Sequence, residues 1–229
     1  MNPSMNPSMN PSMSGANVST DSIETTEVTP PRNPARRRFL AGSGLAAAAV
    51  VVAACGGKDD DNENAKEASD GDLEVATVAA GLELLAVNTY TAALDAAGQG
   101  ALGDVPAAVG QFVTTARDHH QAAFDAWNGV LDGAGKEAVT EPLASLNDAV
   151  NTQLGAVTDI GGAAQLALML EQTAAATYRN VIPTLESTDA IALAGSILPI
   201  DMQHASVLLF VLGQYPVPDT FGQTAMSAA

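Results

Sequence analysis

The chain has one cysteine, few aromatic residues and little positive charge. Among 229 residues only Cys55 carries a thiol, so a framework of internal disulfides is excluded. Aromatics make up 4% of a sequence rich in Ala, Leu, Val and Gly. That composition disfavours an aromatic-rich sandwich of strands and suits close-packed helices with small side chains at their contacts. Nine basic residues stand against 26 acidic ones. The first 54 residues hold four arginines and three acids, which leaves a formal charge of −18 from Cys55 onward. Such a surface repels phosphate backbones and anionic headgroups, so no nucleic-acid partner is expected. No Gly-rich phosphate loop, cysteine pair or serine nucleophile elbow occurs.

Residues 1–35 read as a disordered tail. They open with Met-Asn-Pro-Ser three times over, offer nothing to bury, and leave Met1 or Met13 as the start. Residues 36–55 read as an export signal. Arg36-Arg37-Arg38-Phe39-Leu40 leads into the uncharged stretch Ala41 to Ala54 and then Cys55. The apolar segment is shorter than the roughly 20 residues that a spanning helix requires. Arg36 and Arg37 with the following Phe-Leu resemble a twin-arginine signal. Val52-Ala53-Ala54-Cys55 resembles a lipobox, whose cysteine becomes the acylated first residue of the mature protein. The implied partner is a membrane, held through the lipid on Cys55. The implied location is the outer side of the cytoplasmic membrane or elsewhere in the cell envelope. Residues 56–71 form a polar, like-charged linker whose self-repulsion keeps it extended.

From Asp72 the pattern changes to long apolar periods of 3.6 residues, broken by Gly and Pro. The spacing predicts helices over about 72–97, 105–131, 161–182 and 188–212, with a short one near 142–156 in the long crossover. Asp104 is the expected N-cap of the second helix, and Pro199 is expected to kink the last. Two helical hairpins joined by a crossover make an all-α, ferritin-like four-helix layout over residues 72–213. Residues 214–229 follow as an extended tail.

The chemistry lies in what interrupts the apolar stripes. The first helix aligns Ala76, Ala79, Glu83, Val87, Tyr90 and Leu94 on one face, and the third aligns Ala164, Leu168, Glu171, Ala175, Tyr178 and Ile182. Each sets a glutamate in a buried stripe and a tyrosine two turns on. An unpaired ionised carboxylate there is very costly. The second helix puts His120 on its core stripe, and the fourth puts Asp201 and His204 inward as an i, i+3 pair. His119 is expected to face solvent, while Trp127 and Met202 are expected to pack. The halves look like copies: Glu83-x6-Tyr90 matches Glu171-x6-Tyr178, and His120 and His204 each lie nine residues before a glycine. Either the two tyrosines bond an acid across the bundle, or they support a metal as donors or redox neighbours.

Residues 72–213 resemble the ferritin-like superfamily, and within it the exported bacterial proteins grouped with desiccation-related proteins. The likeness rests on Leu82-Glu83…Tyr90, Arg117-Asp118-His119-His120, Leu170-Glu171…Tyr178 and Ile200-Asp201-Met202-Gln203-His204. It implies a metal site built from Glu83, His120, Glu171, Asp201 and His204, with Tyr90, Arg117, Asp118 and Tyr178 around it. Iron or manganese is the implied ion. The family pattern asks for Glu-x-x-His on the second and fourth helices. Here Asp201 replaces Glu in the fourth. In the second, either Arg117 stands in the carboxylate's place or, if His120 replaces the carboxylate, Ala123 stands where the histidine belongs, and one ligand is missing either way. Three carboxylates with Arg117 nearby balance one divalent ion, which favours a single or asymmetric site. The implied function is a cell-envelope lipoprotein that protects against oxidants or handles metal. The alternative is a metal-free bundle acting as a structural, stress-protective or binding module. There Arg117 and the histidines would neutralise the acids. Whether a reaction is catalysed stays open at this point. A lipid anchor argues against a closed storage cage and leaves a dimer open.

Overall fold

The computed structural model describes residues 67–229. Arg36, Arg37, Cys55 and most of the acidic linker lie outside the described residues. Within them the protein is helical: α1 (Asp70–Gly98), α2 (Ala107–Gly133), α3 (Ala144–Gly155), α4 (Ile160–Val181) and α5 (Thr188–Val211). A turn of 3₁₀ helix, Ile182–Thr184, joins α4 to α5. α1 packs along α2 and α4 along α5, while α1 and α4 meet between the two hairpins. The crossover helix α3 lies over α1 and α4.

Local chemistry explains where these elements start. Ser69 and Asp72 form a reciprocal capping box at the start of α1, and Asp159 and Ser187 cap α4 and α5. Asp104 does not cap α2. The helix begins after Pro106, and no side chain caps it. The reason is steric: the residue before a proline is pushed out of the helical region, so Val105 cannot be the first helical residue and Asp104 falls too far upstream. α5 continues through Pro199. Pro199 and Gly195, one turn earlier, both lie on the exposed face, so the carbonyl that proline leaves without a donor can meet water.

The alanine-rich first half of α1 has a large partner. Leu73, Ala76, Ala79 and Ala80 pack around Trp127 with Leu131, Tyr178, Ala190, Ala194 and Ile197. Small side chains on one helix make room for the indole of another, so Trp127 is a core residue as expected. Met202 is not: it lies on the exposed side of α5. It sits about 100° round the helix from Asp201, and Asp201 is the residue that points inward. The crossover docks at Gly81, whose carbonyl accepts from the Leu143 N–H at 2.8 Å. A Cβ there would lie 3.2 Å from that backbone nitrogen, so glycine is what permits the approach. Asn128 pins the same crossover from α2 by bonding both the N–H and the carbonyl of Val139, at 2.8 and 3.1 Å.

Asp72 ties the two hairpins together. Besides closing its own cap, its buried carboxylate accepts from the backbone N–H of Glu186 at 2.8 Å and of Ser187 at 3.1 Å. Asp72→Ala opens the cap and leaves two backbone donors, the buried one of Ser187 and the part-buried one of Glu186, without their acceptor. It is expected to lower stability by about 2 kcal/mol, read as a shift of the urea midpoint at constant slope. An unchanged midpoint would show that water takes over both donors.

Candidate metal centre

The two glutamates face each other across antiparallel α1 and α4, each answered by the other helix's tyrosine. The Tyr90 hydroxyl donates to Glu171 Oε1, and the Tyr178 hydroxyl donates to Glu83 Oε1 at 2.5 Å. This crossed pairing follows from the matched seven-residue spacing on both helices. The Trp127 indole N–H donates in turn to the Tyr178 oxygen at 2.8 Å. Burial, then the neighbouring carboxylate, holds both phenols well above the ordinary tyrosine range, so both remain donors.

The histidines repeat the same symmetry. In each hairpin the histidine of the second helix sets its Nδ1 against the glutamate of the first: His120 to Glu83 Oε2 at 2.6 Å, and His204 to Glu171 Oε2 at 3.2 Å. Beyond that the halves part. His120 Nε2 lies 3.1 Å from Glu171 Oε1, so this imidazole sits between both glutamates. His204 Nε2 instead lies 3.0 Å from His119 Nδ1, with the two rings stacked at 5.3 Å between centroids. His119 is exposed as its helical position predicts, yet its side chain reaches the centre. Helical phase alone hides this, because phase fixes where Cβ points and not where the imidazole ends.

Asp201 completes the centre and is its misfit. The residue is 1% exposed, and its Oδ2 has no hydrogen-bond partner. Burial and the charges of Glu83 and Glu171 push its carboxyl well above the usual carboxylate range, with His120 opposing them. Burial also works against charge on His120, but Glu171 and Glu83 outweigh it and hold the imidazole well above its usual range. Glu171 shows the reverse balance: burial raises it, while His120 and His204 together bring it below the ordinary glutamate range. At His119, burial and then the other two histidines lower the ring's affinity for a proton.

Four of the five residues expected as ligands converge. Potential ligand atoms of His120, Glu171, Asp201 and His204 all lie within 4.8 Å of one another, and all four residues are buried. Glu83 stands outside this set, engaged by His120 and Tyr178. Arg117 and Asp118 take no part. Their side chains pair with each other, Nη2 to Oδ1 at 2.7 Å, and Asp118 is exposed. The expectation that Arg117 offsets charge at the centre is therefore corrected. A long cation spaced three residues before a buried histidine can turn to solvent and a neighbouring acid, which avoids its desolvation.

Residues 71–214 match the family model described as the ferritin-like domain. The chain belongs to that family. The matched segment takes in α2 to α5, all of α1 but its first residue, and every residue of the centre. No curated protein and no solved structure matches the chain. This ferritin-like domain therefore has a buried His/Glu/Asp cluster that could hold a metal, on a bundle whose hairpins repeat each other's glutamate, tyrosine and histidine.

Proposed function

We propose that the domain holds one divalent transition-metal ion between His120, Glu171, Asp201 and His204. The observation that carries this reading is the orphaned Asp201 Oδ2, a buried oxygen of a residue that belongs to the converging set of donors. Every other buried side-chain polar atom among the described residues has a partner. A carboxylate left so costs free energy unless something binds it. Two carboxylates and two imidazoles neutralise one divalent ion, and that donor set suits iron or manganese. Glu83 supports the set by taking the His120 Nδ1–H, as acids do for metal-bound histidines, which leaves Nε2 for the ion. Tyr90 and Tyr178 hold the two glutamates in place. When bound, iron or manganese would supply redox chemistry, consistent with removing oxidants or handling metal.

Arg36-Arg37 would direct export, and the lipid on Cys55 would hold the domain at the cell envelope through its acidic linker. Elemental analysis of the full chain, folded with Fe²⁺, Mn²⁺ or Zn²⁺, is expected to give about one ion per chain, the number that two carboxylates balance. Two ions per chain would bring Glu83 in as a ligand and overturn the single-ion site. No ion in a well-folded helical sample would leave a non-catalytic bundle whose role is structural, stress-protective or binding.

A further inference from the structure

The centre is buried, so a cation must have a way in. A cleft of about 190 Å³ opens between α2 and α5. Its walls are mostly apolar, including Ala122, Ala126, Leu193 and Ile197. Polar side chains on it are few: His119, His120, Asp201 and Ser196. The Ser196 hydroxyl donates to the Leu193 carbonyl at 2.7 Å, which leaves its oxygen free to accept or ligate. His120 and Asp201 belong to the proposed ligand set and form the inner end. His119 is exposed and bonds His204 through Nδ1, while its Nε2 has no partner among the described residues. A hydrated divalent ion cannot enter an apolar passage without exchanging waters for protein donors. An imidazole nitrogen beside the passage, hydrogen-bonded through its other nitrogen to an inner histidine, is placed to begin that exchange.

We infer that the cleft between α2 and α5 is the route by which the metal reaches its ligands, and that His119 is its first ligand on the way. The inference rests on the single-ion reading above. It makes His119 a transit ligand, passed by the ion in both directions and left behind in the loaded state.

Transit and residence separate kinetically. A group met only along the way lowers the barrier for loading and release together, by microscopic reversibility, and leaves the equilibrium almost unmoved. The probe is Co²⁺ alone, mixed in stopped flow with the metal-free full chain. Loading is read from the rise of cobalt ligand-field absorption, and release from a chelator chase. His119→Ala is expected to slow loading and release about tenfold each, the scale of one lost interaction at a barrier. Affinity should move less than either rate, by no more than the lost His204 hydrogen bond accounts for, and the final spectrum should match the parent. Ala122→Phe, which narrows the same cleft without touching a ligand, is expected to slow both rates likewise. Unchanged rates in both variants would remove the cleft as the route. Unchanged loading with a full loss of affinity in His119→Ala would show that His119 only orients His204. Failure of the parent chain to bind Co²⁺ at all would instead overturn the metal reading beneath the inference.

Discussion

Glu171→Gln is expected to abolish stoichiometric metal binding and to cost about 3 kcal/mol of stability, whereas Glu83→Gln is expected to keep the ion with affinity lowered about 10- to 100-fold. The two glutamates are matched in sequence, helix position and tyrosine partner, so a symmetric site would respond equally to both. They differ in what they serve. Glu171 accepts from Tyr90, reaches both His120 and His204, and belongs to the four converging residues. An amide there lacks the charge that opposes His120, and its NH₂ in the place of Oε2 can only donate, so His204 has to turn Nδ1 to it as an acceptor. Glu83 meets only His120 and Tyr178, and lies outside the converging set. Losing its charge loosens the hold on His120 without removing a ligand. The comparison is made by elemental analysis, competition against a chelator and urea unfolding of the metal-free chains. Equal effects would restore the symmetric site and place Glu83 among the ligands.

Asp201→Asn is expected to act in opposite directions on stability and on binding. In the metal-free protein the variant should be more stable by about 1–2 kcal/mol, because a buried acid with an orphaned oxygen, opposed by the charges of Glu83 and Glu171, gives way to a side chain that carries no charge. Metal affinity should fall about 100-fold or more, since one of four ligands is lost and the remaining charge no longer balances a divalent ion. Thermal melts with chelator and with metal measure both: the variant melts above the parent without metal, and below it with metal. This inversion marks a residue kept for binding at a cost in folding. A variant less stable than the parent without metal would show that Asp201 serves the fold. The metal reading would then lose the observation that carries it.

Much of this architecture is written in periodicity. Glu83, Tyr90, Glu171 and Tyr178 stand out because each interrupts an apolar stripe with a group that cannot be buried alone, and His120, Asp201 and His204 do the same on the partner helices. Helical phase tells which residues face the core, and the repeated spacing makes the crossed tyrosine–glutamate bonds a natural solution. Pro106 misled because its effect on the preceding residue outweighs the capping preference of Asp104. Arg117 and His119 misled for a shared reason. A flexible side chain at the edge of a stripe chooses its partner from what surrounds it in three dimensions, and so Arg117 turned to Asp118 while His119 turned inward to His204.

The sequence by itself determined the helices, the inward acids and imidazoles, and the doubling of the hairpin, because burial and the 3.6-residue repeat act through local position. Only the tertiary structure decided that Glu83 stands apart from the converging four, that Asp201 keeps an oxygen without a partner, and that a cleft opens at His119. Those facts depend on distances between α1, α2, α4 and α5, and no spacing along one helix encodes how far it stands from another.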